Sequence, residues 1–175
     1  MLTDEYARAC RQDGPALSYD SHMLSVILFL SLSTGAFQKP ADIVKWSASA
    51  APAVNAGGTV KVALTAKVES GWKLYALTQP QGGPRPLDIE VAAGAPFTIS
   101  KKQIAGPKPK VLKDENFDLE TLYYETEAVF TVPVTLAASV TGTTSIPFEV
   151  TFQACGNGIC LRPFTEKVSV QVVVR

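Results

Sequence analysis

From Val44 onward, apolar and polar residues alternate in long runs. In TVKVALTAKV, residues 59–68, Val60, Val62, Leu64, Ala66 and Val68 share one face, with Thr59, Lys61, Thr65 and Lys67 on the other. AVFTVPVTL repeats the pattern with Ala128, Phe130, Val132 and Val134, and SIPFEVTFQ with Ile146, Phe148, Val150 and Phe152. EKVSVQVVV places Val168, Val170, Val172 and Val174 together. Alternation over this length predicts strands with one buried face. Pro133 and Pro147 interrupt two of these runs. Proline cannot donate to a ladder, so both predict edge or bulged positions. Turn signals separate the runs: NAGG (55–58), PQGGPRP (80–86), AAGAP (92–96) and AGPKPK (105–110). Short strands at this spacing predict an all-β chain folded as a β-sandwich. LKDENFDLETLYYETE, residues 112–127, lacks clean alternation. It predicts a loop with a helical turn, of a length that is often functional.

The N-terminus follows a different pattern. MLSVILFLSLSTGA, Met23–Ala36, has an apolar centre followed by small residues. A membrane span needs about 20 apolar residues, so this stretch is short for one and fits a secretory signal with a cut near Phe37. No basic residue lies within Met23–Ala36 to form a basic leading region, and a polar segment precedes Met23. The expectation is therefore that Met23 is the true start. Residues 1–36 form an N-terminal extension plus signal peptide that is removed, and residues 37–175 form the domain. A buried helix or a retained anchor is the alternative.

Composition changes the picture in two ways. Sixteen positive and sixteen negative side chains cancel, so there is no basic footprint for nucleic acid. Removing residues 1–36 takes away two arginines and four acids, leaving 14 positive against 12 negative. It also takes away Cys10 and the only histidine, His22. Two cysteines remain, Cys155 and Cys160, an even count suited to an oxidising, exported setting.

The segment FQACGNGICLRPF, residues 152–164, holds both. Gly-Asn-Gly after Cys155 tolerates positive φ, so the cysteines are expected to face each other across a hairpin-like loop. Three chemistries fit that spacing. As a staple, closure of so short a loop is worth roughly 2 kcal/mol, and a domain of this size has enough core without it. As a metal clip, two thiolates without histidine fall short of a structural zinc site, although they suit Cu(I). As a redox pair, one thiol must ionise when reduced, which nearby positive charge favours. Arg162 stands two residues from Cys160 and is either that charge or a solvated surface residue. Cysteine-protease and serine-triad catalysis both need a histidine that the exported chain lacks. No cofactor is implied.

The residues around the cysteines resemble a known family. VTFQACGNGICLRPFTEKV matches the V-x-Y-Q-x-C … C-x-x-P-x-x-x-x-V segment of the amino-terminal domain of DsbD, the bacterial thiol:disulfide interchange protein. GWKLYAL (71–77) resembles that domain's G-Y-x-L-Y strand, and FTVPVTL (130–136) its L-T-L-P-V strand. The resemblance spans residues 44–174. It implies an immunoglobulin-like β-sandwich with a cap loop over the cysteine pair. It implies a carrier in the periplasm that takes electrons from a membrane thiol/disulfide donor and passes them to thioredoxin-like proteins or disulfide isomerases, including those of cytochrome c maturation. By the same match Cys160 is the nucleophile and Cys155 resolves. Asp114, Glu115 and Phe117 fall where the family carries its acidic and aromatic cap, and Tyr75 matches an active-site tyrosine. Lys73 stands where the family has a further tyrosine. Phe117, Tyr123 and Tyr124 are all candidates for the covering ring, and Trp72 is expected in the core. Because the chain stops at Arg175, the donor is expected in trans. The alternative from another class is a protein-binding sandwich module in which the bridge only orders a loop.

Overall fold

The computed structural model describes residues 39–156 and 158–175. The segment expected to be a signal peptide, Cys10 and His22 therefore lie outside the described residues. One helical turn, α1 (Pro40–Ile43), leads into the strands. These are β1 (Val44–Ala50), β2 (Ala53–Val54), β3 (Thr59–Val68), β4 (Trp72–Tyr75), β5 (Asp88–Val91), β6 (Phe97–Ile99), β7 (Lys110–Asp114), β8 (Leu119–Tyr124), β9 (Glu127–Leu136), β10 (Gly142–Phe152), β11 (Ala154–Gly156), β12 (Ile159–Cys160) and β13 (Phe164–Val174). They form an immunoglobulin-like β-sandwich.

Two four-stranded sheets, ordered β1-β3-β9-β6 and β2-β13-β10-β5, supply the main core. The alternating runs bury the faces their periodicity marks. Val62, Leu64, Phe130 and Val132 come from the first sheet, and Ile146, Phe148, Val150 and Phe152 from the second, all at 0–1% exposure. Each such side chain contributes roughly 1.5–3 kcal/mol by leaving water. The opposite faces are mostly polar, with Val129 and Val173 exposed among them. Paired threonines meet there, with Thr59 and Thr135 hydroxyls 3.0 Å apart and Thr151 and Thr165 hydroxyls 2.8 Å apart.

The two prolines depart from the expectation of edge or bulged sites. Pro133 pairs with Lys61 and Pro147 with Ser169, each in an interior strand. The reason lies in which neighbour the missing N–H would face. Thr131 exchanges both backbone bonds with Ala105, on the β6 side of β9. Pro133, two residues on, faces that side too, between the Ala105 bridge and the last β6 pair at Val134. The carbonyl of Pro147 accepts from Ala92, just beyond the end of β5. Pro133 thus points at a gap between paired segments, and Pro147 lies one residue past the end of β5, where its missing N–H leaves a single bond to Ala92, so neither interrupts the ladder within a strand.

The third sheet, β12-β11-β4-β8-β7, has five strands. Its two faces have different roles. Trp72 and Leu74 of β4, Leu122 and Tyr124 of β8, and Ala154 of β11 pack on the main core. The residues between them (Tyr75, Tyr123 and Cys155) form a second, separate cluster with Phe117 and Cys160. Trp72 thus takes the core position expected of it.

Residues 112–127 differ from the predicted loop with a helical turn. They fold mostly as a hairpin of β7 and β8, paired from Lys110↔Tyr123 to Asp114↔Leu119. Asp114 starts the turn. Its side chain accepts from the Asn116 backbone at 3.0 Å, and its carbonyl from the Phe117 N–H at 3.3 Å. Asp118 closes the turn at φ 52°, a conformation aspartate tolerates better than most residues.

Candidate functional site

Cys155 and Cys160 are in-register partners across β11 and β12, and they are joined by a disulfide. The hairpin needs its glycines. Gly158 sits at φ +74° in the connection. A Cβ on Gly156 would lie 2.5 Å from the Gly71 carbonyl and 2.8 Å from the Trp72 ring, so only glycine lets β11 come this close to β4. Gln153 braces the return. Its side-chain amide donates to the Leu161 carbonyl at 3.1 Å and its side-chain oxygen accepts from the Arg85 N–H at 2.9 Å.

The disulfide lies at one edge of the five-stranded sheet and the cap hairpin at the other. Tyr75 spans the distance. It is 1% exposed, and its hydroxyl donates to Asp114 Oδ2 at 2.6 Å while standing 3.9 Å from Cys160 Sγ. Phe117 leans edge-on against the Tyr75 ring, with centroids 6.0 Å apart. Cys155 is 4% exposed beneath this cover, while Cys160 is half-buried. Of the three candidate covering rings, Phe117 and Tyr123 belong to the disulfide cluster. Tyr124 points the other way, edge-on to Phe130 in the core, with its hydroxyl on the Pro107 carbonyl.

The acidic pair divides. Asp114 is 6% exposed and heavily bonded: besides Tyr75, the Asn116 backbone and side-chain amides donate to its Oδ1 at 3.0 and 3.1 Å. Burial pushes the carboxyl pKa up. The Tyr75 and Asn116 donors and the nearby Lys73 charge outweigh that and hold it below its usual value. Burial first, and then the Asp114 carboxylate, push the Tyr75 phenol well above its usual range. Glu115 is exposed and lines the cavity beside the disulfide, which measures about 330 Å³ and is also bounded by Lys73, Asp114, Cys155 and Gly156. Arg162 is exposed, and among the described residues it makes no ion pair. No three His, Cys, Asp or Glu side chains gather as metal ligands among the described residues.

The site thus brings together Cys155, Cys160, Tyr75, Asp114 and Phe117, with Glu115 at the rim. Sequence reading passed over Thr121, 1% exposed, whose hydroxyl lies 3.5 Å from Asp114 Oδ2. It also gave no part to Gln153. Its place two residues before Cys155 was the available signal.

The family model described as "Thiol:disulfide interchange protein DsbD, N-terminal" matches residues 41–172. Among solved structures, the reduced amino-terminal domain of DsbD from Neisseria meningitidis superposes with a TM-score of 0.50 at 18% identity. That alignment covers 77% of this chain and 89% of that one. The amino-terminal periplasmic domain of ScsB from Proteus mirabilis superposes with a TM-score of 0.51 at 22% identity, covering 79% of this chain and 50% of that one. This chain therefore spans about half of the ScsB domain, and both likenesses are likenesses of fold. No curated protein sequence matches the chain.

Proposed function

The chain belongs to the family of DsbD amino-terminal domains, and from that premise we propose that it is an exported thiol–disulfide carrier with Cys155–Cys160 as its redox pair. The pair takes electrons from a membrane thiol/disulfide donor. It passes them to thioredoxin-like proteins or disulfide isomerases in the periplasm. One observation carries this reading. The disulfide sits outside the main core, in its own cluster on the outer face of an edge hairpin, under aromatic and acidic residues from a second hairpin. A staple would gain nothing from that cover. A reactive disulfide gains protection from chance thiols while staying within reach once the cap yields.

Cys160 is the more exposed residue and is the one assigned to meet partners; Cys155, the more buried one, resolves. Exchange then runs through a mixed disulfide in the ordinary way. Asp114 and Tyr75 hold the cap closed, and Phe117 covers the pair. The exposed apolar side chain of Leu112, paired with Thr121 on the cap hairpin and lining the cavity beside the disulfide, offers a partner something to dock on.

Trapping tests the proposal. A Cys155→Ala variant leaves Cys160 without its resolving partner, so it should accumulate as a mixed disulfide with a thioredoxin-like protein. Trapping by Cys160→Ala alone would reverse the two roles. A Cys155→Ser/Cys160→Ser variant that keeps full biological function would favour a binding module instead.

A further inference from the structure

The two sulfurs sit in different electrostatic surroundings. Cys160 neighbours the Tyr75 hydroxyl, which is engaged with the Asp114 carboxylate. Cys155 is paired with a lysine. Lys73 is its register partner across β4 and β11, and directly paired residues project from the same face of a sheet. Lys73 and Cys155 line the same cavity. The Lys73 ammonium lies 5.2 Å from the centre of the ring of Tyr123, on the strand across β4 from β11, a stacking that keeps it on this face of the sheet. Lys73 is half-buried, and among the described residues it makes no ion pair.

We propose that Lys73 is the cation that stabilises the thiolate of Cys155, setting this sulfur's quality as leaving group and as resolving nucleophile. Burial at 4% exposure disfavours a charged sulfur. A disulfide nevertheless cleaves faster when the departing thiol has a lower pKa. In the reducing direction, a thiolate of the donor dithiol attacks Sγ of Cys160. The Cys160–Cys155 bond breaks, and its electron pair leaves on Cys155 Sγ. The donor's second thiol loses its proton to solvent and attacks the donor sulfur of the mixed disulfide, releasing Cys160 as a thiolate. Both cysteines then take protons from water; the donor dithiol has become a disulfide and the pair a dithiol. In the opposite direction Cys155 must again be a thiolate, now to expel a partner from Cys160. Lys73 serves both passages.

The other charged and titratable groups around the pair are Tyr75 from β4, Tyr123 from β8, Asp114 and Lys113 from β7, and Glu115 from the turn. Lys113 is occupied with Asp118 at 2.8 Å, and Asp114 with Tyr75 and Asn116. Lys73, whose charge also bears on Asp114, is the cation without an ion pair on the face of Cys155 among the described residues.

The inference rests on the exchange reading only for its purpose, because the thiol pKa belongs to the free protein. Full-length chain carrying Cys160→Ala is labelled with 13C at cysteine Cβ, and the assigned Cys155 resonance is titrated with pH. Adding Lys73→Met should raise the Cys155 pKa by about one unit, equivalent to roughly tenfold less thiolate at a fixed pH. Lys73→Arg should restore the original value, which a merely structural role would not require. An unmoved pKa in folded Lys73→Met, or an Arg variant shifted as far as Met, would overturn the proposal. If Lys73→Met does not fold, Lys73→Gln is read by the same criteria. A shifted pKa in a protein that exchanges with no thioredoxin-like partner would instead remove the carrier reading and leave the role of Lys73 standing.

Discussion

Tyr75 and Asp114 share one buried hydrogen bond, and their titrations pull stability in opposite directions along the pH scale. The Asp114 carboxyl is held below its ordinary value of 3.8 in the folded protein. Its contribution is therefore whole above that value and is lost as pH falls through the depressed folded one. The Tyr75 phenol is raised above its ordinary 10.0, so its contribution is whole below pH 10 and is lost as pH rises beyond it. Tyr75→Phe removes the donor and leaves a buried carboxylate under-bonded, at a cost of about 1–3 kcal/mol. Urea denaturation at neutral pH should show that loss. Repeating it in acid should show the difference from the unmodified protein shrinking as Asp114 protonates. A gap that stays constant from neutral pH to well below 3.8 would mean that the bond does not couple to Asp114. Gly156→Ala belongs to the same scale. Its methyl would strike the Gly71 carbonyl and the Trp72 ring, so the melting temperature should fall and the cysteine hairpin should lift from β4. Hydrogen exchange at the amides of β11 reads this directly, and unchanged protection would contradict it.

At the scale of elements, the site is two hairpins at opposite edges of one sheet, linked by the side chains of β4 and β8. Phe117 belongs to the turn between β7 and β8 and lies on the disulfide cluster rather than in the core. Phe117→Ala should therefore speed reduction of Cys155–Cys160 by a small thiol such as dithiothreitol several-fold, with little change in melting temperature. An unaltered rate would mean that the ring does not shield the pair. This hairpin is also where sequence reading failed, for a physical reason. Strands β3, β9, β10 and β13 each have one apolar and one polar face, so period two exposes them. In β8, Leu122 and Tyr124 face the core while Thr121 and Tyr123 face the site. Both faces are covered, alternation is lost, and the acidic turn between β7 and β8 reads as loop. Asp114, Phe117 and Tyr75 are legible in the sequence through family resemblance. Lys73 is legible only as a departure from it, because a lysine in a strand has no periodic signature. Its meaning comes from the β4–β11 register, which pairs residues 82 positions apart.

For the molecule as a whole, stability and chemistry reside in different places. The sandwich core is built from two sheets that do not contain the cysteines. Phe152→Ala, at a position with 0% exposure, should cost about 3–5 kcal/mol. Cys155→Ser/Cys160→Ser should cost only roughly 2 kcal/mol, the worth of closing a short loop, and leave a folded protein. Paired denaturation curves test that ordering, and a double variant as damaged as Phe152→Ala would make the disulfide a structural staple after all. The central claim, that the bridge is a working redox pair, is tested most directly by its reduction potential, measured by equilibration with a thiol buffer. Structural disulfides in secreted proteins typically lie below about −300 mV. The carrier account predicts a clearly more oxidising value for Cys155–Cys160. A potential far below that line would contradict it.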